Sequence, residues 1–226
     1  MAGTITALIA HKKKTDRVNV YLDGEFAFGL AAIEAIKLQR GQVLSDADLD
    51  RLRGADETEQ AHEKALRFLA YRPRSEWEVR QNLIKAEFDG GTIDRVVDRL
   101  TAVALIDDAA FARYWLDNRA QFRPRGQAAL RQELQRKGVE RAVIDDALRV
   151  AAVDQSDDQA ALQSALARAE RFRQLPPAEF VQKLSAYLLR RGFNYEAVRA
   201  AVAAAWRAVQ DDEEAAGNYS FDALEE

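Results

Sequence analysis

The chain contains no cysteine, which excludes disulfides, thiolate zinc sites, iron–sulfur clusters and cysteine nucleophiles at once. Histidine is almost as scarce: His11 and His62 are the whole supply, too few for a multi-histidine metal cage. Long apolar runs are missing as well. No stretch approaches the roughly 18 uninterrupted apolar residues of a membrane span, and Met1 to Ala10 lacks the basic-then-apolar plan of a secretory signal, so a cytoplasmic protein is the expectation. There is no Walker A glycine loop, no G-x-S-x-G elbow and no dinucleotide fingerprint. The carboxylate pairs Asp107-Asp108 and Asp145-Asp146 are adjacent in sequence, which on a helix points them roughly 100° apart instead of into one site. These absences together predict a protein that is not an enzyme and needs no metal or cofactor.

What is present is ordinary in bulk: 226 residues, 48% hydrophobic and 31% charged, enough for a conventional core in one or two domains. The net charge of -4 is unevenly spread. Residues 211–226 hold seven acids and no base, leaving 33 bases against 30 acids in residues 1–210, a net +3. An anionic partner therefore stays open despite the acidic total.

The N-terminal fifth reads as strands. Thr4 to Ala10 and Arg17 to Leu22 are rich in β-branched and apolar residues, and Asp23-Gly24 is the dipeptide of a type I′ hairpin turn leading into Glu25 to Gly29. Residues 1–55 are expected to form a small β-hairpin module with one or two short helices. Lys12-Lys13-Lys14 falls between two strands as a solvated loop with phosphate as its alternative partner.

From Glu57 onward helix formers dominate and apolar residues recur at three and four. The run Leu130 to Val139 (LRQELQRKGV) aligns without a gap with Leu184 to Phe193 (LSAYLLRRGF) at a spacing of 54 residues. Val79 to Lys85 aligns more weakly with Leu130 to Arg136 at a spacing of 51, which also brings Pro73-Arg74 onto Pro124-Arg125. Three repeats of about 50 residues follow, each long enough for three helices. Their expected bounds are 57–105, 106–153 and 156–209, with nine helices near 58–71, 75–87, 92–103, 108–122, 126–137, 140–152, 157–173, 177–191 and 194–209. Ser75-x-x-Glu78 and Ser156-x-x-Gln159 fit the capping box, Asn194 is a further N-cap, and Gly138 and Gly192 sit where helices end in a left-handed residue. The predicted class is mainly α: three tandem three-helix repeats in an elongated, curved array, preceded by the hairpin module. Residues 211–226 are expected to be a disordered acidic tail.

Arginine carries the functional signal. Arg72, Arg74, Arg119, Arg123, Arg125, Arg131, Arg136, Lys137, Arg190 and Arg191 fall largely at helix junctions and at the ends of second helices. They either complement helix C-termini or line up once per repeat toward an acidic groove or a phosphate backbone. The aromatic residues Phe68, Tyr71, Trp77, Phe88, Phe111, Tyr114, Trp115, Tyr187 and Trp206 sit at helical spacings and are expected in cores.

The run Leu105-Ile106-Asp107-Asp108-Ala109-Ala110-Phe111-Ala112-Arg113-Tyr114-Trp115, then Arg119, Arg125-Gly126 and Leu130 to Val139, resembles the central signature of the RecX family of bacterial recombination regulators. Leu66 to Leu69 with Pro73-Arg74-Ser75 and Glu78-Val79 looks like the family's first repeat, Leu188 to Phe193 like its third, and residues 5–28 like the N-terminal module of some members. One departure stands out: repeat 1 has Lys85-Ala86-Glu87 where the others have two bases and a glycine. The resemblance implies a monomer acting in homologous recombination, DNA repair and the SOS response as a negative modulator of RecA. It would bind the RecA filament on single-stranded DNA and suppress its ATPase, growth and strand exchange. The alternative is a direct binder of single- or double-stranded DNA through helix-turn-helix-like units.

Overall fold

The computed structural model describes residues 3–12, 16–154 and 156–222, with the side chains of all of these except 154 and 212–222. The chain divides into two units, residues 1–107 and 108–226.

The first unit begins with β1 (Gly3–Ala10), β2 (Arg17–Leu22) and β3 (Glu25–Ala31). A turn with Asp23 at φ 50° and Gly24 at φ 92° joins β2 to β3, the double positive φ that the Asp-Gly pair predicts. After α1 (Ala32–Ala35), the two-residue β4 (Val43–Leu44) pairs with the other side of β1, giving an antiparallel sheet in the order β3-β2-β1-β4. Its core is Ile5, Val20, Leu30, Leu38 and Leu44, closed by Leu49 and Leu52 of α2 (Asp46–Leu69).

That helix is the main departure from expectation. It starts at a Ser45–Asp48 capping box and runs without a break through residues 55–57, where a module boundary was expected. Its first half packs on the sheet; Ala61 and Ala65, farther along, belong to the core of repeat 1 with Val79, Leu83, Val96 and Leu100. Asp56 sits between the two cores, buried, and accepts hydrogen bonds from Arg17 Nη2 (2.8 Å), Ala31 N (2.8 Å) and Gln60 Nε2 (2.7 Å). A carboxylate with three donors can afford burial, and here it ties β2 and the end of β3 to the helix. Repeat 1 is completed by α3 (Glu76–Ile84) and α4 (Gly90–Ala102), the latter capped by Asp89, which accepts from Thr92 N.

The second unit holds two more repeats, each with its own core. Repeat 2 is α5 (Asp108–Phe122), α6 (Gln127–Arg136) and α7 (Arg141–Asp154), around Phe111, Leu116, Leu134, Ile144 and Leu148. Repeat 3 is α8 (Asp157–Ala169), a 3-10 turn at Glu170–Phe172, α9 (Pro177–Arg190) and α10 (Tyr195–Asp222), around Phe180, Leu184, Leu188, Val198 and Val202. Both predicted capping boxes are present, and Asn194 Oδ1 accepts from Ala197 N at 2.8 Å. The acidic tail differs from expectation: α10 continues to Asp222, because Asp211 to Ala216 are tolerated or favoured in helices and extending an anchored helix avoids a new nucleation step. Residues 223–226 lie outside the described residues. No helix among the described residues is long and apolar enough to cross a membrane.

Candidate partner-binding surface

In all three repeats the second helix ends in the same way. Just past the helix a residue takes positive φ (Glu87 64°, Gly138 76°, Gly192 81°), and its N–H returns to the helix at 2.9 Å in each case, to the carbonyl oxygens of Ile84, Gln135 and Leu189. The next residue closes the wider ring: Phe88 N to Leu83 O (3.4 Å), Val139 N to Leu134 O (3.2 Å) and Phe193 N to Leu188 O (3.4 Å). These are three Schellman corners. Repeat 1 thus makes the same corner without a glycine, putting Glu87 into the left-handed region that disfavours side chains.

The basic residues at these corners and junctions divide into those already engaged and those that are not. Arg72 forms two bonds to Glu78 (2.9 and 3.2 Å), the acid of the α3 capping box. Arg74 lies with its guanidinium 3.9 Å from the centre of the Phe68 ring. Burial and the neighbouring Arg72 both push its pKa down. In repeat 2 one carboxylate gathers three donors: Glu133 accepts from Trp115 Nε1 (2.7 Å) and Arg119 Nε (2.8 Å) and pairs with Arg125 Nε (3.0 Å). The face of Trp115 carries two cations, Arg119 at 4.3 Å and Lys137 at 4.4 Å. Arg131 binds Asp145 at 2.7 Å, which holds that carboxyl below its ordinary pKa. In repeat 3 Arg191 lies 4.7 Å from the centre of the Tyr187 ring and donates to Pro124 O at 2.8 Å.

Three of the ten remain. Arg123, Arg136 and Arg190 are exposed and carry no side-chain hydrogen bond or ion pair among the described residues. Arg136 and Arg190 occupy the same position in successive repeats, the last helical residue before the corner, and Lys85, equally exposed, is their counterpart in repeat 1. The alternation is systematic in repeats 2 and 3: the first base faces solvent, while the second lies over a ring.

Sequence spacing placed Tyr71 and Trp77 in cores, but the structure leaves Tyr71 86% and Trp77 46% exposed. Tyr71 lies two residues past the end of α2, just before Arg72-Pro73, and Phe122, 66% exposed, ends α5 at the equivalent sequence position before Arg123-Pro124. The signal that would have found this pair is the repeated aromatic-Arg-Pro-Arg at a spacing of 51. Phe111 is buried as expected, and Trp206 meets Phe180 edge-on at 4.9 Å. Lys12 is exposed; Lys13 and Lys14 lie outside the described residues. No group of three or more histidine, cysteine or carboxylate side chains suited to a metal occurs among the described residues.

A β module followed by three-helix units with a repeated basic corner defines a tandem-repeat protein whose surface, more than any pocket, distinguishes it. Comparison with known proteins gives the family. Family models described as the RecX N-terminal domain and the first, second and third RecX three-helix domains match residues 3–45, 61–100, 107–148 and 156–202. The chain belongs to the RecX family. It is 30% identical over 200 residues to the regulatory protein RecX of Bacillus subtilis (strain 168), covering 88% of this chain and 75% of that one. It is 32% identical over 194 residues to that of Levilactobacillus brevis, covering 84% and 72%. A crystal structure of a regulatory protein RecX superposes with a TM-score of 0.72 at 28% identity, covering 87% of this chain and 97% of that one. The relatives are named regulatory proteins, and a regulatory role follows for this chain.

Proposed function

We propose that the protein is a non-catalytic negative modulator of the RecA recombinase. It binds the RecA filament on single-stranded DNA and holds down ATP hydrolysis, filament growth and strand exchange. The observation that carries this reading is the family match in four segments that together run from residue 3 to residue 202. The repeated corner supports it physically: a solvent-facing base at Lys85, Arg136 and Arg190, once per repeat, suits an anionic surface that itself repeats.

Within the predicted basic set, Arg123, Arg136 and Arg190 are the contact residues of this proposal. The other seven are already engaged: Arg72, Arg119, Arg125 and Arg131 with carboxylates, and Arg74, Lys137 and Arg191 over rings. Reversing charge at Arg125 or Arg131 would therefore break Glu133 or Asp145 contacts before it reached a partner. Arg136→Glu with Arg190→Glu tests the surface more cleanly. In a titration against RecA on single-stranded DNA, the unaltered protein should depress ATPase and strand exchange, and the double variant should do so at least 10-fold less well with its helical circular dichroism intact. RecA activity untouched by the unaltered protein would overturn the proposal. Tight, salt-sensitive binding to DNA without RecA would favour the direct DNA reading instead.

A further inference from the structure

Repeat 2 and repeat 3 meet at the start of α6, and the geometry there is unlike that of an independent helix. The N-cap of α6 is Gly126, at φ -70° and ψ 156°. Any residue adopts that conformation, so the glycine is not required by its own backbone. It is required by its neighbour: a Cβ on Gly126 would fall on the carbonyl of Gly192 and on Phe193 N. Gly192 is constrained in return, since a Cβ there would lie 2.5 Å from the Ala129 Cβ and 2.7 Å from Ala129 N.

Polar bonds lock the same contact. Gly126 N donates to Arg191 O at 3.0 Å, and Arg191 Nη1 donates to Pro124 O at 2.8 Å. The cap that Gly126 cannot supply comes from repeat 3, where Asp157 Oδ1 accepts from Gln127 N at 3.0 Å. That carboxyl is half-buried, which pushes its pKa up, so its position is maintained against a desolvation penalty. The corner of repeat 3 therefore does two jobs with consecutive residues: Arg190 faces solvent, while Arg191 and Gly192 sit in the joint.

We infer that repeats 2 and 3 are one binding body, and that Gly126, Arg191 and Asp157 are positioning residues that hold the free arginines Arg136 and Arg190 at a fixed separation toward a single anionic partner. This rests on the proposed role of those arginines. Two charges on a rigid body engage such a partner as a pair, because the second contact forms without a fresh search. Two charges on a loose joint engage it singly.

The absence of cysteine makes the test direct. Spin labels attached through Gln132→Cys on α6 and Gln182→Cys on α9, both exposed, report the distance between the repeats in the full chain. The unaltered joint should give one narrow distance distribution; Gly126→Ala, which suits its own backbone but wedges the joint, should broaden and lengthen it with circular dichroism unchanged. In parallel, Arg136→Glu and Arg190→Glu are measured singly and together for RecA inhibition. With the joint intact, the double variant should lose far less than the product of the single losses; with Gly126→Ala, the losses should multiply. A distribution unmoved by Gly126→Ala overturns the joint. A broadened distribution with the coupling unchanged overturns its positioning role. Arginine variants that are silent with the joint intact bring down the proposed contact surface, and the distance measurement, which involves no RecA, separates that failure from the other. Should Gly126→Ala fail to fold, Asp157→Ala removes the borrowed cap and carries the same predictions.

Discussion

Repeat 1 and repeat 2 build the same second helix by opposite means. In repeat 1 the helix start is self-sufficient: the Ser75 hydroxyl, fully buried, accepts from Glu78 N, and the Glu78 carboxylate returns to Ser75 N. In repeat 2 the equivalent Gly126 has no side chain, and the cap is borrowed from Asp157. At the other end the roles reverse, with repeat 2 using Gly138 for the left-handed residue and repeat 1 forcing Glu87 into that conformation. A repeat thus gives up a favourable local residue where its neighbour supplies the interaction, and it tolerates a poor one where backbone bonds over-determine the geometry.

The largest expected effect concerns the acids of the two helices. Glu133→Ala would leave Arg119, Arg125 and the half-buried Trp115 N–H without their shared acceptor, and should lower stability by about 3 kcal/mol. Glu78→Ala removes one side of a capping box and the partner of Arg72, which remains partly solvated; about 1 kcal/mol is expected. Urea unfolding of both variants checks the order. A Glu78 variant less stable than the Glu133 variant would show that repeat 1, and not repeat 2, depends more on its junction acid.

The helix ends should respond with opposite signs. Glu87→Gly relieves a side chain held at φ 64° and should stabilise the protein by about 1 kcal/mol. Gly138→Ala, at φ 76°, should destabilise it by a similar amount. Thermal unfolding of the pair would break the symmetry between the corners if both changes moved the midpoint the same way.

The three-repeat architecture was legible in the sequence because each repeat carries its own apolar period and cap, and Leu134, Leu188 and the two corner glycines survive in register. The hairpin was legible from Asp23-Gly24. The continuity of α2 was not, because Gly54 looks like a break; Asp56, which fixes the helix to the sheet, gives no periodic signal, since its partners Arg17 and Ala31 are remote in sequence. The site was half legible. Spacing identified bases at junctions, but which of them were consumed by Glu78, Glu133, Asp145 or a ring depended on contacts that no spacing encodes. Gly126 read only as part of a motif, and its reason emerged from the backbone of Gly192.

The smallest expected effect is on acid stability, and it compares the two repeats once more. Asp89 caps α4 in repeat 1, where the side-chain and backbone hydrogen bonds of Thr92 lower its pKa from the ordinary 3.8. Asp145 is lowered from the same value in repeat 2, chiefly by the hydrogen bond from Arg131. A depressed folded pKa means that on acidification the unfolded chain takes up the proton first. The contribution of each group is therefore complete above the ordinary aspartate value, and it fades as the pH falls below 3.8 through the folded pKa. Asp89→Asn and Asp145→Asn should each flatten the acid limb of a stability-versus-pH curve while leaving its neutral slope alone. Salt distinguishes them: the Arg131–Asp145 pair is exposed and charged on both sides, so added salt should shrink the Asp145 effect more than that of Asp89, whose largest partner is the neutral Thr92. Equal salt sensitivity would mean that the cap in repeat 1 draws on nearby Arg95 as heavily as the pair in repeat 2 draws on Arg131.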